Sequence, residues 1–166
     1  MKLSIIAGCF FLFCSFADAA IYVDKDATAG ANNGSSWTDA YTNLNTALTK
    51  ATGEFWIAEG TYITPVSAGI QLNNTNELYG GFQGTESSRA ERNWTTYPTI
   101  LDGGSSNRVL QKTVAGTAVL DGFTVQNGAN AAATSGGGLY CTAGSLDIRN
   151  CVFTNNTLSC NDGLFC

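Results

Sequence analysis

From Phe55 onward the chain is written in short β-prone bursts, nearly every one stopped by glycine or asparagine. The bursts are Phe55-Trp56-Ile57, Thr61-Tyr62-Ile63, Ile70-Gln71-Leu72, Leu78-Tyr79, Thr99-Ile100-Leu101 and Val109-Leu110. They continue with Ala118-Val119-Leu120, Phe123-Thr124-Val125, Leu139-Tyr140-Cys141, Leu146-Asp147-Ile148 and Cys151-Val152-Phe153. Runs this short fit either an antiparallel sandwich or a stack of short strands in a β-solenoid, and internal repetition decides between them. Leu120-Asp121-Gly122-Phe123-Thr124-Val125-Gln126-Asn127 can be laid over Ile148-Arg149-Asn150-Cys151-Val152-Phe153-Thr154-Asn155, 28 residues later. Apolar residues coincide at the first, fourth and sixth places, bend residues at the second and third, and both segments end on asparagine. That offset suits one solenoid coil, each stacked on the last at the ~4.8 Å spacing of paired strands. Leu101-Asp102-Gly103 reads as an earlier, imperfect copy of Leu120-Asp121-Gly122. Leu120, Phe123 and Val125 are expected to point inward and stack on Ile148, Cys151 and Phe153. Asn127 and Asn155 would lie at a bend, where stacked amides hydrogen-bond along the axis.

Upstream of the bursts the pattern differs. Ile21-Tyr22-Val23 is a short β-prone opening, followed by a loop from Asp24 to Ser36 rich in Gly, Asn, Ala and Ser. Trp37 is expected to open a helix, because Tyr41, Leu44, Leu48 and Ala51 make one apolar face while Asn43, Asn45, Thr49 and Lys50 face water. Ser36 or Thr38 can cap it, Asp39 and Lys50 complement its dipole, and Gly53 stops it. So short a helix is marginal alone, so its apolar face has to cover something. The first coil, with its open strand edge, is the expected partner. The organisation is therefore a signal peptide over 1–20, a cap with its helix over 21–53, β-coils over 54–156, and a cysteine-containing tail or truncated next coil over 157–166.

The first twenty residues have the signal-peptide layout: Lys2, an apolar run from Leu3 to Phe16, and Ala17-Asp18-Ala19 before a cut at Ala19 or Ala20. The run is too short for a transmembrane span. Cys141, Cys151, Cys160 and Cys166 remain after cleavage. In an oxidising compartment they are disulfide candidates, with three pairings open. A zinc site is the sharper alternative, but His and C-x-x-C pairs are lacking. A net charge of −5 with no basic stripe argues against nucleic acid and against anionic membrane surfaces. The absence of histidine removes the commonest general base and metal ligand.

A further set of residues carries a resemblance. It runs through Ser35-Ser36-Trp37-Thr38-Asp39-Ala40-Tyr41, Phe55-Trp56-Ile57-Ala58-Glu59-Gly60-Thr61-Tyr62 and Leu78-Tyr79-Gly80-Gly81-Phe82-Gln83-Gly84-Thr85-Glu86. Arg92-Asn93-Trp94 and Pro98-Thr99-Ile100-Leu101-Asp102-Gly103 complete it. Together these resemble the N-terminal segment of secreted bacterial β-helix proteins of the pectin-lyase-like superfamily. Gly136-Gly137-Gly138-Leu139 and Phe153-Thr154-Asn155-Asn156 also look like repeats of polymorphic outer-membrane proteins. The resemblance implies an all-β, right-handed parallel β-helix (a solenoid) with an N-terminal amphipathic capping helix, exported to the cell surface or beyond. It implies fold and export more than activity.

The superfamily includes polysaccharide lyases and hydrolases, whose residues are hard to find here. With no His, the Gly-His-Gly segment of pectin-type hydrolases cannot be present. Lys25, Lys50 and Lys112 lack an accompanying aspartate cluster. Asp102 and Asp121 are the candidate catalytic carboxylates: stacked on adjacent coils they would hold calcium or form an acid/base pair. Aspartates beside turns more commonly satisfy backbone donors, as would also apply to Asp147. Otherwise no cofactor or metal is implied, and the chain leans away from being an enzyme. Arg89 and Arg92, with Glu86 and Glu91, read as a loop held by surface ion pairs. Trp37 and Trp56 read as core under the cap, whereas Trp94 and Tyr97, in a loop excursion, are candidates for glycan contact. N-x-[ST] sequons stand at Asn33, Asn73, Asn93 and Asn155, relevant to N-glycosylation in a eukaryotic source.

Three functional readings stay open. The first is a non-catalytic secreted or cell-surface β-helix in adhesion or glycan contact, its partner a polysaccharide or host glycan. The second is the whole or front part of a polysaccharide lyase or glycoside hydrolase. The third is a structural spacer. After Asn156 too few residues remain for another coil, so the sequence reads as the front of a longer protein or as ending in a disulfide lid.

Overall fold

A computed structural model describes residues 19–64, 68–73, 75–129 and 136–157. Residues 1–18 of the expected signal segment, Cys160 and Cys166 lie outside the described residues. Every expected burst overlaps a strand. After β1 (Ile21–Val23) come a helix, α1 (Leu44–Lys50), then β2 (Glu54–Ala58), β3 (Gly60–Ile63), β4 (Ile70–Gln71), β5 (Glu77–Phe82) and β6 (Thr99–Asp102). The series closes with β7 (Leu110–Lys112), β8 (Thr117–Asp121), β9 (Phe123–Gln126), β10 (Leu139–Cys141), β11 (Ser145–Arg149) and β12 (Val152–Thr154).

The strands form three sheets, ordered β1-β2-β5-β8-β11, β4-β7-β10 and β3-β6-β9-β12. All pairings between them are parallel. From β2 onward the chain visits the first, third and second sheets in a fixed cycle, and each return lands beside the previous strand of that sheet. Parallel strands cannot be joined by tight hairpins, so each return needs an intervening crossover, supplied here by strands of the other two sheets. One row of side chains in the first sheet runs Ile21, Phe55, Leu78, Leu120, Ile148. Phe55, Leu78 and Leu120 are fully buried in a core shared with Tyr62, Ile70, Leu101, Leu110, Phe123 and Val125. The row alternating with it, Tyr22, Trp56, Tyr79, Asp121, Arg149, belongs to the opposite face.

The 28-residue repeat has the expected register. Leu120 pairs with Ile148, and Val125 with Phe153. Ile148 and Phe153 are nevertheless 40% and 43% exposed, because β11 and β12 are the outermost strands of their sheets. Leu101-Asp102 is not a copy of Leu120-Asp121. It lies in the third sheet, paired with Val125 and Gln126, whereas Leu120 pairs with Leu78. The segment between β5 and β6 lengthens that circuit and masks the period. The amides at the bends also differ from expectation: Asn127 donates to Asp102 Oδ2 (2.9 Å) rather than to Asn155. Asn156 spans the layers instead, accepting from Gly128 N and donating to Val125 O. Asn127 and Asn155 both take a left-handed backbone (φ 52°), a conformation asparagine tolerates, and this turns the chain.

The helix starts later than its apolar spacing suggests. Ser36 and Asp39 do form a reciprocal pair, with Ser36 Oγ donating to Asp39 Oδ2 and accepting from Asp39 N. Asp39 Oδ1 accepts from Ala31 N, so this motif closes the preceding loop instead of opening a helix. Tyr41 is then claimed by β1: its N–H donates to Tyr22 O and its carbonyl accepts from Asp24 N. With that backbone extended, Asn43 becomes the cap, Oδ1 accepting from Thr46 N at 2.9 Å. Leu44, Ala47 and Leu48 are buried, and α1 packs against β1 and β4, covering one end of the shared core as expected. Trp37 and Trp56 do not lie under this cap. They join Phe82 and Tyr22 in a separate aromatic cluster on the opposite face of the first sheet, where Trp56 stacks on Phe82 at 4.9 Å.

Candidate functional site

The site is built on the excursion between β5 and β6. β5 carries a bulge where its register with β2 shifts, at Gly80 and Gly81. A Cβ on Gly81 (φ +90°) would lie 2.5 Å from Trp94 N, and one on Gly80 would lie 2.6 Å from Gly122 O. Only glycine allows the returning loop to approach this closely. The loop is shaped by carboxylates that accept backbone N–H groups. Glu86, buried, takes Gln83, Gly84 and Thr85, while its own carbonyl accepts from Trp37 Nε1. Glu91 takes the N–H of Ser87 and the hydroxyls of Ser87 and Ser88, which holds its carboxyl below the ordinary value.

The loop does carry a surface ion pair, as expected, but neither Glu86 nor Glu91 supplies its carboxylate. Arg89 reaches back to Glu54 (2.9 Å) and lies 4.3 Å over the Tyr79 ring. Arg92 is buried against Asp121 at 2.7 Å, the two side chains only 10% and 7% exposed. Its Nη1 also donates to the carbonyls of Gly80 and Asp121. The guanidinium lies 5.2 Å from the Tyr79 ring and 4.9 Å from the Trp94 ring, and the second Asp121 oxygen accepts from Asn150 Nδ2 at 2.8 Å. Burial, then the bond it donates to Glu77, pushes the Tyr79 hydroxyl up to about 12. No local motif announces these contacts, since their partners come from strands up to 35 residues away.

Trp94 is held by this arrangement yet stays 39% exposed. Asn93 fixes the turn beneath it, Oδ1 accepting from Thr95 N and Thr96 N. Beside the indole lies a groove of about 490 Å³, lined among others by Thr95, Phe123, Thr124, Asn150 and Val152, at the corner where β8 passes into β9. Thr124 and Val152 are register neighbours on the outward face of the third sheet. Tyr97 is half-buried and does not line the groove.

Asp102 and Asp121 are not brought together. Asp102 belongs to the third sheet and Asp121 to the first. Asp102 accepts from Gln126, Asn127 and Gly104 N. Burial works to raise its carboxyl, and these three bonds outweigh that, leaving it below its ordinary value. Asp147, on the outside, pairs with Arg149. Among the described residues no group of three or more His, Cys, Asp or Glu is placed to hold a metal ion. Cys141, exposed, and Cys151, half-buried, carry free thiols and are not joined to each other. Burial pushes the Cys151 thiol up, and it donates to Leu120 O. The sequons at Asn33, Asn93 and Asn155 are exposed, and Asn73 is half-buried with its amide directed to Leu48 O.

No helix among the described residues is long and apolar enough to cross a membrane. No protein-family model, curated protein or solved structure matches the chain.

Proposed function

We propose that the chain is a secreted or cell-surface right-handed parallel β-helix that contacts glycan through the Trp94 groove and catalyses no reaction. The cycle through three parallel sheets, with one row of side chains stacked inside, supports the solenoid. The layout of residues 1–20 supports export. The observation that carries the functional reading is Trp94. A large aromatic is kept exposed beside a groove with hydroxyl and amide lining while a buried ion pair fixes it from behind. Aromatic faces with a few polar groups are how proteins hold sugars, whose C–H faces are apolar and whose rims are hydroxyls. Asp102 and Asp121, far from forming an acid/base pair, are each consumed in fixing turns and layers.

The test is binding of the secreted protein to immobilised glycans, with Trp94→Ala beside it. Retention of at least one glycan class by the parent protein and its loss in the variant is the expected result. A protein that binds none, and cleaves none, would be a spacer. Release of reducing or unsaturated ends would make it an enzyme.

A further inference from the structure

We infer that the sugar taken by the Trp94 groove is uncharged, a neutral saccharide and not a uronate or sulfated chain. This rests on the glycan-contact reading and narrows it. The groove is lined by Trp94, Thr95, Thr124, Asn150 and apolar neighbours, and none of its lining side chains is an acid or a base apart from the Cys151 thiol, which burial keeps protonated. An acidic sugar would need a cation there, because a carboxylate drawn out of water without a partner is strongly disfavoured.

No arginine lines the groove: Arg89 and Arg149 lie outside its lining in surface pairs with Glu54 and Asp147, and Arg92 is bonded to Asp121 beneath it. Arg92 has the further carbonyls of Gly80 and Asp121 and is buried, so it cannot turn to a ligand without abandoning a buried carboxylate. A net charge of −5 over the chain repels polyanions at long range as well. What the groove offers is an indole surface and short neutral polar side chains, which match the hydroxyl rim and apolar face of an uncharged sugar.

The experiment titrates the full chain with hexasaccharides of β-linked glucose, xylose and mannose and with a galacturonate hexasaccharide, following heat and tryptophan emission at low and moderate salt. At least one neutral oligosaccharide is expected to bind tenfold or more tighter than galacturonate, with little change on adding salt. Trp94→Ala should weaken it about tenfold, the size of a lost aromatic stacking contact. Val152→Arg places a cation on an exposed lining position and should raise galacturonate binding several-fold, a result that does not depend on Trp94→Ala folding. Tighter, salt-sensitive binding of galacturonate by the parent protein would overturn the inference and leave glycan contact standing. Failure of every oligosaccharide to bind would sink both.

Discussion

Arg92 has three acceptors and two aromatic neighbours, and almost none of it is exposed to solvent. Removing one member of such a pair costs more than the pair itself contributes, because the partner is left charged in a poorly hydrated site. Arg92→Ala should therefore destabilise the fold by about 3–5 kcal/mol, read from urea unfolding. Replacing both members, Arg92→Met with Asp121→Leu, should recover much of that loss. Asp102 makes a prediction about pH. Its folded carboxyl titrates below its ordinary value, so its contribution is complete above the unfolded value of about 3.9 and disappears as pH falls through the lower folded value. Asp102→Asn should be less stable than the parent at pH 7, with the gap closing in acid. A constant gap across that range would count against the assignment.

At the scale of elements, the strands were readable because β-prone residues and breakers alternate so regularly, from Phe55-Trp56-Ile57 to Cys151-Val152-Phe153. The helix start was not readable. Periodicity sees Tyr41 as the first apolar position, but its backbone is worth more paired with Tyr22 than helical. Leu48, inside the element, was placed correctly, and Leu48→Ala should cost about 2–5 kcal/mol by opening a void beneath α1. Lys112 carries no local sequence signal of a structural role. It lies fully buried in β7, its ammonium donating to the carbonyls of Val114 and Ala115 and so closing the turn into β8. Lys112→Met keeps the length and removes the donors. It should lose about 1.5–3 kcal/mol in denaturant unfolding, the worth of hydrogen bonds to a charged group.

Across the whole molecule, the period is visible only between Leu120 and Ile148, which pair directly and whose flanking residues match in type. The earlier circuit between Leu78 and Leu120 is stretched by residues 83–98, and that same stretch carries Trp94 and Arg92, one member of the buried ion pair. The candidate site was legible as an exposed Trp in a loop. Its supports were not, because Arg92 and Asp121 meet only once β8 pairs beside β5 in the first sheet. Export belongs to this scale too. The protein recovered outside the cell is expected to begin at Ala20 or Ile21 on N-terminal sequencing. An intact Met1 terminus there would refute it.

The bulge at Gly80 and Gly81 separates two jobs within one short stretch of chain. On one side, Leu78 and Leu120 keep their rung of the first sheet; on the other, the chain leaves and returns without disturbing it. The excursion is tied to the scaffold at a few points, where Asn93 N donates to Gly81 O and Pro98 O accepts from Gly60 N, and between them Thr95 and Thr96 are exposed. On the glycan-contact proposal, a different sequence grafted between Arg92 and Thr99 is expected to change which ligand the protein binds, read from glycan binding of the graft beside the parent.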